Sequence, residues 1–195
     1  MNSTPLPLRA TIWLWLIAAL FAGSAGWLAR LPAPAAVAGV PLGLAALLWI
    51  AYAKLAGLRT WIDSLDLRAF VLLHVARLVG IYFFVLHSRG VLPHDFAIPA
   101  GGGDILVALL GVLVTFLPLS ESTRRRYIGL WNIVGLADLL LVLITSVRLG
   151  LQDPGQLRVL TMLPLSLLPT FLTPLLLFTH IVILIRLRRE EAPAT

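Results

Sequence analysis

Five polar side chains stand inside long apolar stretches of this sequence: His74 and Arg77, three apart; Asn132 and Asp138, six apart; and His180 near the end. An ionisable group at the centre of a bilayer costs about 2.5 to 3.5 kcal/mol on insertion scales, so such groups find partners or do work. Two imidazoles can ligate a b-type haem axially, with Arg77 near a propionate and Gly80 making room for the macrocycle. The same residues can instead line a proton or anion path, and Arg77 and Asp138 can simply pair to dock two helices. These five form the candidate intramembrane polar site; His74 and His180 are cofactor ligands only if the cofactor is haem.

The elements that would carry them follow from composition. The chain has 195 residues, 59% apolar and 12% charged, with a mean hydropathy of +0.97, which excludes an ordinary water-soluble globule. Six helices of about 20 residues would take about 120 residues and leave about 75 for loops and tails. Windowing predicts an all-α polytopic membrane bundle, one integral membrane domain over 1–195, with spans at 10–29, 35–56, 67–88, 104–118, 127–149 and 167–187. The absence of cysteine excludes disulfides, thiolate metal sites and thiol nucleophiles.

The net charge of +6 is read through topology rather than as a nucleic-acid signal, and no nucleic-acid partner is expected. With loops assigned alternately, one side carries Arg9, Lys54, Arg59, Arg68, Arg124, Arg125, Arg126, Arg186, Arg188 and Arg189, and the other only Arg30, Arg89, Arg148 and Arg158. This puts both termini in the cytoplasm, with anionic lipids as partners at that face and Arg124 to Arg126 on their head groups. Serines beside that run leave room for a phosphorylation switch. The small residues Ala22 to Gly26 also fit a cleaved signal peptide, which would leave five spans, but the apolar run continues through Trp27 and Leu28. Trp13, Trp15, Trp27, Trp49, Trp61 and Trp131 read as interfacial anchors. Residues 58–66 read as an amphipathic elbow, and 89–103 as too rich in Pro and Gly for a helix, folding back over the bundle. Residues 150–166 are a candidate for packing partly at membrane depth.

Winding each span at 100 degrees per residue gives polar stripes on spans three to six. Asp104, Ala108, Gly111 and Thr115 align, as do Asn132, Gly135, Asp138, Thr145 and Ser146, and Ser166, Thr170, Thr173 and His180. Spans three to six are therefore expected to enclose one polar core. His74 and His180 lie at equal depth, about 10 Å from the cytoplasmic side at 1.5 Å per residue. Arg77 and Asp138 lie near mid-bilayer, where pairing is the natural arrangement.

Other signals carry less. Gly101-Gly102-Gly103-Asp104 lacks the lysine and strand context of a phosphate loop, so Asp104 reads as a helix N-cap. His94-Asp95 is too small a set for a metal. Ala18, Ala22 and Gly26, and the pair Gly39 and Gly43, make small-residue ridges that suit packing of the first two spans, and also allow a homo-oligomer or a membrane partner. No HExxH, GxSxG or GxxxxGK[ST] motif supports an enzyme, and Lys54, the only lysine, is misplaced for a retinal Schiff base in the last helix.

The stretches LLHVARLVGIYFF (72–84), GVLPHDFAIPAGGGD (90–104), WNIVGLADLLL (131–141) and LPLSLLPTFLTPLL (163–176) resemble a family of small multi-pass proteins of the bacterial cytoplasmic membrane with no assigned activity. The resemblance implies an inner-membrane location and brings no catalytic or binding roles. By size, span count and basic balance alone, the chain is also similar to the substrate-binding subunits of energy-coupling-factor vitamin transporters. The leading expectation is small-solute or ion translocation, proton-linked; the alternatives are a bis-histidine b-haem electron-transfer protein and a non-catalytic assembly or scaffold protein.

Overall fold

The computed structural model describes residues 5–191. They form an all-helical bundle with seven helices: α1 Leu6–Ser24, α2 Ala35–Lys54, α3 Ala56–Asp63, α4 Leu67–Ser88, α5 His94–Phe116, α6 Glu121–Gln152 and α7 Leu168–Arg189. All but α3 are long and apolar enough to cross a membrane. Short 3₁₀ turns follow α1 at Leu28–Arg30 and precede α7 at Arg158–Thr161. Large apolar side chains such as Trp13, Leu47, Leu109, Phe116 and Leu141 cover the outside, as a lipid-facing surface requires.

Helix starts follow local chemistry. Asp66 caps α4 by accepting from the Arg68 amide at 2.9 Å, and Ser120 caps α6 by accepting from the Thr123 amide at 3.3 Å. Pro93 precedes α5, and proline is tolerated where a helix has no amide to pair. The elbow expected at 58–66 is helix α3, held by Tyr52 Oη donating to Asp63 at 2.7 Å and by Arg189 paired with Asp63 at 3.2 Å.

The expected span four begins ten residues too late. Residues 89–103 are not an irregular fold-back: from His94 they are helical, with Pro99 exposed near the start of α5. Propensity lost to packing, because the glycines serve close approach to neighbouring helices. Asp104 is consequently not an N-cap but the eleventh residue of a 23-residue helix. Residues 150–166 do pack inward, with Leu157, Leu160 and Leu165 buried against Phe83 and Phe96.

Two further corrections concern packing. The ridge of α1 is Ala19 and Gly23, one register step from Ala18 and Ala22, and it meets the start of α7 rather than α2: a Cβ on Gly23 would collide with Ser166, and Trp15 Nε1 donates to the Thr170 carbonyl at 2.9 Å. Gly39 and Gly43 are exposed. Helix α1 is peripheral, with 11% of its apolar window buried, whereas α7 is central at 56%.

Arg124 points inward instead of towards head groups. It is 6% exposed, and its guanidinium donates to the carbonyls of Val114, Thr115, Leu117 and Leu119 at 2.7 to 3.3 Å, satisfying acceptors that the end of α5 leaves open. Arg124→Ala is expected to lower stability by about 2 kcal/mol or more, as for lost bonds to a charged donor. The check is the unfolding midpoint in detergent, with the exposed Arg126→Ala variant expected to match the parent protein.

Candidate functional site

The site begins with a break in helical regularity. At His74–Val79 helix α4 tightens into a 3₁₀ segment, a distortion often found at working positions. From it project His74 and Arg77, which are 0% and 1% exposed.

Arg77 is the joint of three helices. Its Nε donates to Asp104 Oδ1 of α5 at 2.7 Å, its Nη1 to the Gly135 carbonyl of α6 at 3.1 Å, and its Nη2 to Asp138 Oδ2 of α6. The expected Arg77 and Asp138 pair is thus present, with Asp104 as a second carboxylate that the N-cap reading missed. Its stripe position beside Ala108, Gly111 and Thr115 was the available signal, since all four are buried.

Close approach makes this geometry possible. A Cβ on Gly80 would lie 2.8 Å from both Asp104 Cβ and the Gly101 carbonyl oxygen, so α4 and α5 touch backbone to backbone there. Across the next seam, a Cβ on Gly135 would lie 2.6 Å from His180 Cε1. Gly135 therefore both receives Arg77 through its carbonyl and receives the imidazole of His180 against its Cα.

The two histidines, expected at equal depth, are in contact, with ring centroids 4.3 Å apart. Their tautomers follow from their partners. The Thr179 hydroxyl donates to the Leu176 carbonyl, so it accepts from His74 Nε2–H at 3.0 Å. Asn132 Nδ2 donates to the His180 carbonyl at 3.1 Å, so its Oδ1 accepts from His180 Nδ1–H at 2.8 Å. His74 Nδ1 and His180 Nε2 are left as buried nitrogens without a hydrogen bond. Trp131 is not an interfacial anchor: it is buried, packs against both rings and donates from Nε1 to the Val107 carbonyl at 2.9 Å.

Not every stripe residue joins the cluster. Thr115, Ser146 and Thr170 each donate to the carbonyl one turn back in their own helix, which satisfies them locally. Among the described residues no group of three or more His, Cys, Asp or Glu side chains is placed to hold a metal ion. His94 and Asp95 are exposed at the start of α5.

Two cavities step inward from the face opposite α3, and a third lies at the side of the bundle. The outermost, about 330 Å³, is lined by Leu31, Pro154 and Arg158 and shares Val37 with the next. That next cavity, about 50 Å³, has apolar walls and reaches Arg77 and Asp104. The third, about 110 Å³, lies between α5 and α6 with the exposed Pro99 and Leu141 at its edge, and reaches Asp138 and Thr145.

A haem held by both histidines would need its macrocycle between them. Imidazoles in direct contact, each committed through one nitrogen to Thr179 or Asn132, do not fit that group. The purified protein is expected to lack a Soret band; one that disappears in His74→Ala would restore the haem reading. For the Arg77 joint, Arg77→Ala leaves the buried Asp104 and the partly buried Asp138 without their cation. It is expected to destabilise the fold by about 3 to 5 kcal/mol, read from detergent unfolding curves. An unchanged midpoint would show that Arg77 holds nothing together.

No curated protein and no solved structure matches the chain. One family model does match, over residues 31–188, a stretch that runs from just before α2 almost to the end of α7 and contains every residue of the polar cluster. The chain therefore belongs to the family described as Domain of unknown function (DUF8737).

Proposed function

We propose that this protein lies in a bacterial inner membrane with both ends in the cytoplasm and carries a small solute or ion across it in a proton-linked manner. The orientation is supported by the basic residues Lys54, Arg59, Arg68, Arg186 and Arg189, which cluster at the end of the bundle that carries α3. Anionic lipid head groups are the partners this charge favours.

The observation that carries translocation is the position of the Arg77, Asp104 and Asp138 cluster. It lies at the middle of its helices, with Arg77 and Asp104 at the inner end of two cavities stepping from the opposite face. A pure docking lock needs no such approach, whereas a transport site near the bilayer midplane needs one open side and one closed side. The closed side is supplied by the packed layer of His74, Trp131, Asn132 and His180.

The test is flux. Purified protein in liposomes containing a trapped pH dye, with an acid exterior, is challenged with a panel of small cations, amino acids and carboxylates. Wild type is expected to accelerate internal acidification with at least one of them, and Asp138→Asn to lose most of that acceleration. No acceleration with any solute, or an equal rate in Asp138→Asn, would leave the cluster as a structural lock and favour the scaffold reading.

A further inference from the structure

The charges in the central cluster do not cancel. Arg77 brings one positive charge and faces two carboxylates, the buried Asp104 and the partly buried Asp138. If both carboxyls are ionised, the centre of the bundle holds one net negative charge, which a low-dielectric interior strongly disfavours. The other titratable groups near the cluster are His74 from α4 and His180 from α7; α2 contributes only the apolar Val37 to the cavity wall. Towards the open face, Arg158 lines the outermost cavity.

The hydrogen bonds decide where a compensating positive charge can sit. An imidazolium has two N–H donors. His74 Nδ1 and His180 Nε2 are both buried with no acceptor, so protonating either ring would leave a charged donor unpaired. The carboxylates differ. Asp104 Oδ1 and Asp138 Oδ2 accept from Arg77, and the second oxygen of each makes no hydrogen bond among the described residues. Each carboxylate also borders a cavity, Asp104 that of about 50 Å³ and Asp138 that of about 110 Å³. The first is large enough for a few waters and too small for an organic cation of any size.

We infer that Asp104 and Asp138 together bind one proton, taken from water in the cavity beside Asp104, so that the cluster with Arg77 is neutral. The inference rests on the translocation reading only for its use; as a binding site it stands on the charge count and the cavities. The proton adds to the free oxygen of one carboxylate, and Arg77 keeps its three donated bonds. Because the two acids share one guanidinium, the proton belongs to the pair, and its loss to the cavity water restores the net negative charge. The site thus takes a cation, not an anion, which narrows the proton or anion path expected from sequence.

The experiment is infrared spectroscopy of the full chain in liposomes at neutral pH in sodium-free buffer. Spectra of wild type, Asp104→Asn, Asp138→Asn and Arg77→Gln are subtracted pairwise so that exposed carboxyls cancel. Wild type is expected to show one protonated-carboxyl C=O band that shifts in D₂O. Either Asn variant should lose it, because one carboxylate against Arg77 is already neutral, and Arg77→Gln should strengthen it. Absence of the band in wild type overturns the inference without any variant needing to fold. Its persistence in a folded Asn variant, or its displacement by sodium chloride, does so too, the last outcome giving the site to a metal cation. These spectra need no transported solute, so a missing band with intact flux removes this inference alone, and a clear band without flux removes only the translocation reading.

Discussion

A buried guanidinium must be given acceptors on every side, and that requirement organises the centre of this bundle. Arg77 reaches two carboxylates and a backbone carbonyl from one planar fork, which a lysine ammonium could not match in direction. Because those acceptors come from α5 and α6, the three helices are tied at one level. A dry interior offers no solvent to replace a missing partner, so the tie also constrains their rotation.

Side-chain volume is the complementary constraint. Long polar groups can share a narrow core only where the opposing helix has none, and Gly80, Gly101, Gly103 and Gly135 are positions around the cluster where a Cβ would collide. The helices approach closely where the chemistry is densest and separate elsewhere, leaving the cavities along Phe83, Phe96 and Leu172. Packing and polar satisfaction are therefore one solution, since each close seam shortens the reach of a hydrogen bond.

Gly135 joins two layers. Its carbonyl takes Arg77 and its Cα supports His180, whose ring is oriented by Asn132 from the same helix. The charged layer and the histidine layer thus share α6, and the histidine layer ties α6 to His74 on α4 through His180. In a translocating protein this is where opposite faces of the membrane would be kept from opening together.

Hydrophobic periodicity determined much by itself: six apolar helices, the 67–88 span to the residue, equal depths for His74 and His180, and a pairing of Arg77 with Asp138. These follow from fixed rise, fixed turn and the need to neutralise charge in hydrocarbon, all local or near-local properties. The start of α5 was not legible, because Pro99 and three glycines look like loop until Gly101 and Gly103 are seen packed against α4 and α6. That error hid Asp104, which sits at the mid-depth of its helix only once ten more residues are helical. Nor could sequence tell that Arg124 caps carbonyls, that Trp131 packs against both histidines, or which ring nitrogens are bare. Only the tertiary structure decided these, because the helices' relative rotation and spacing set which polar atoms meet, and one-dimensional periodicity carries neither.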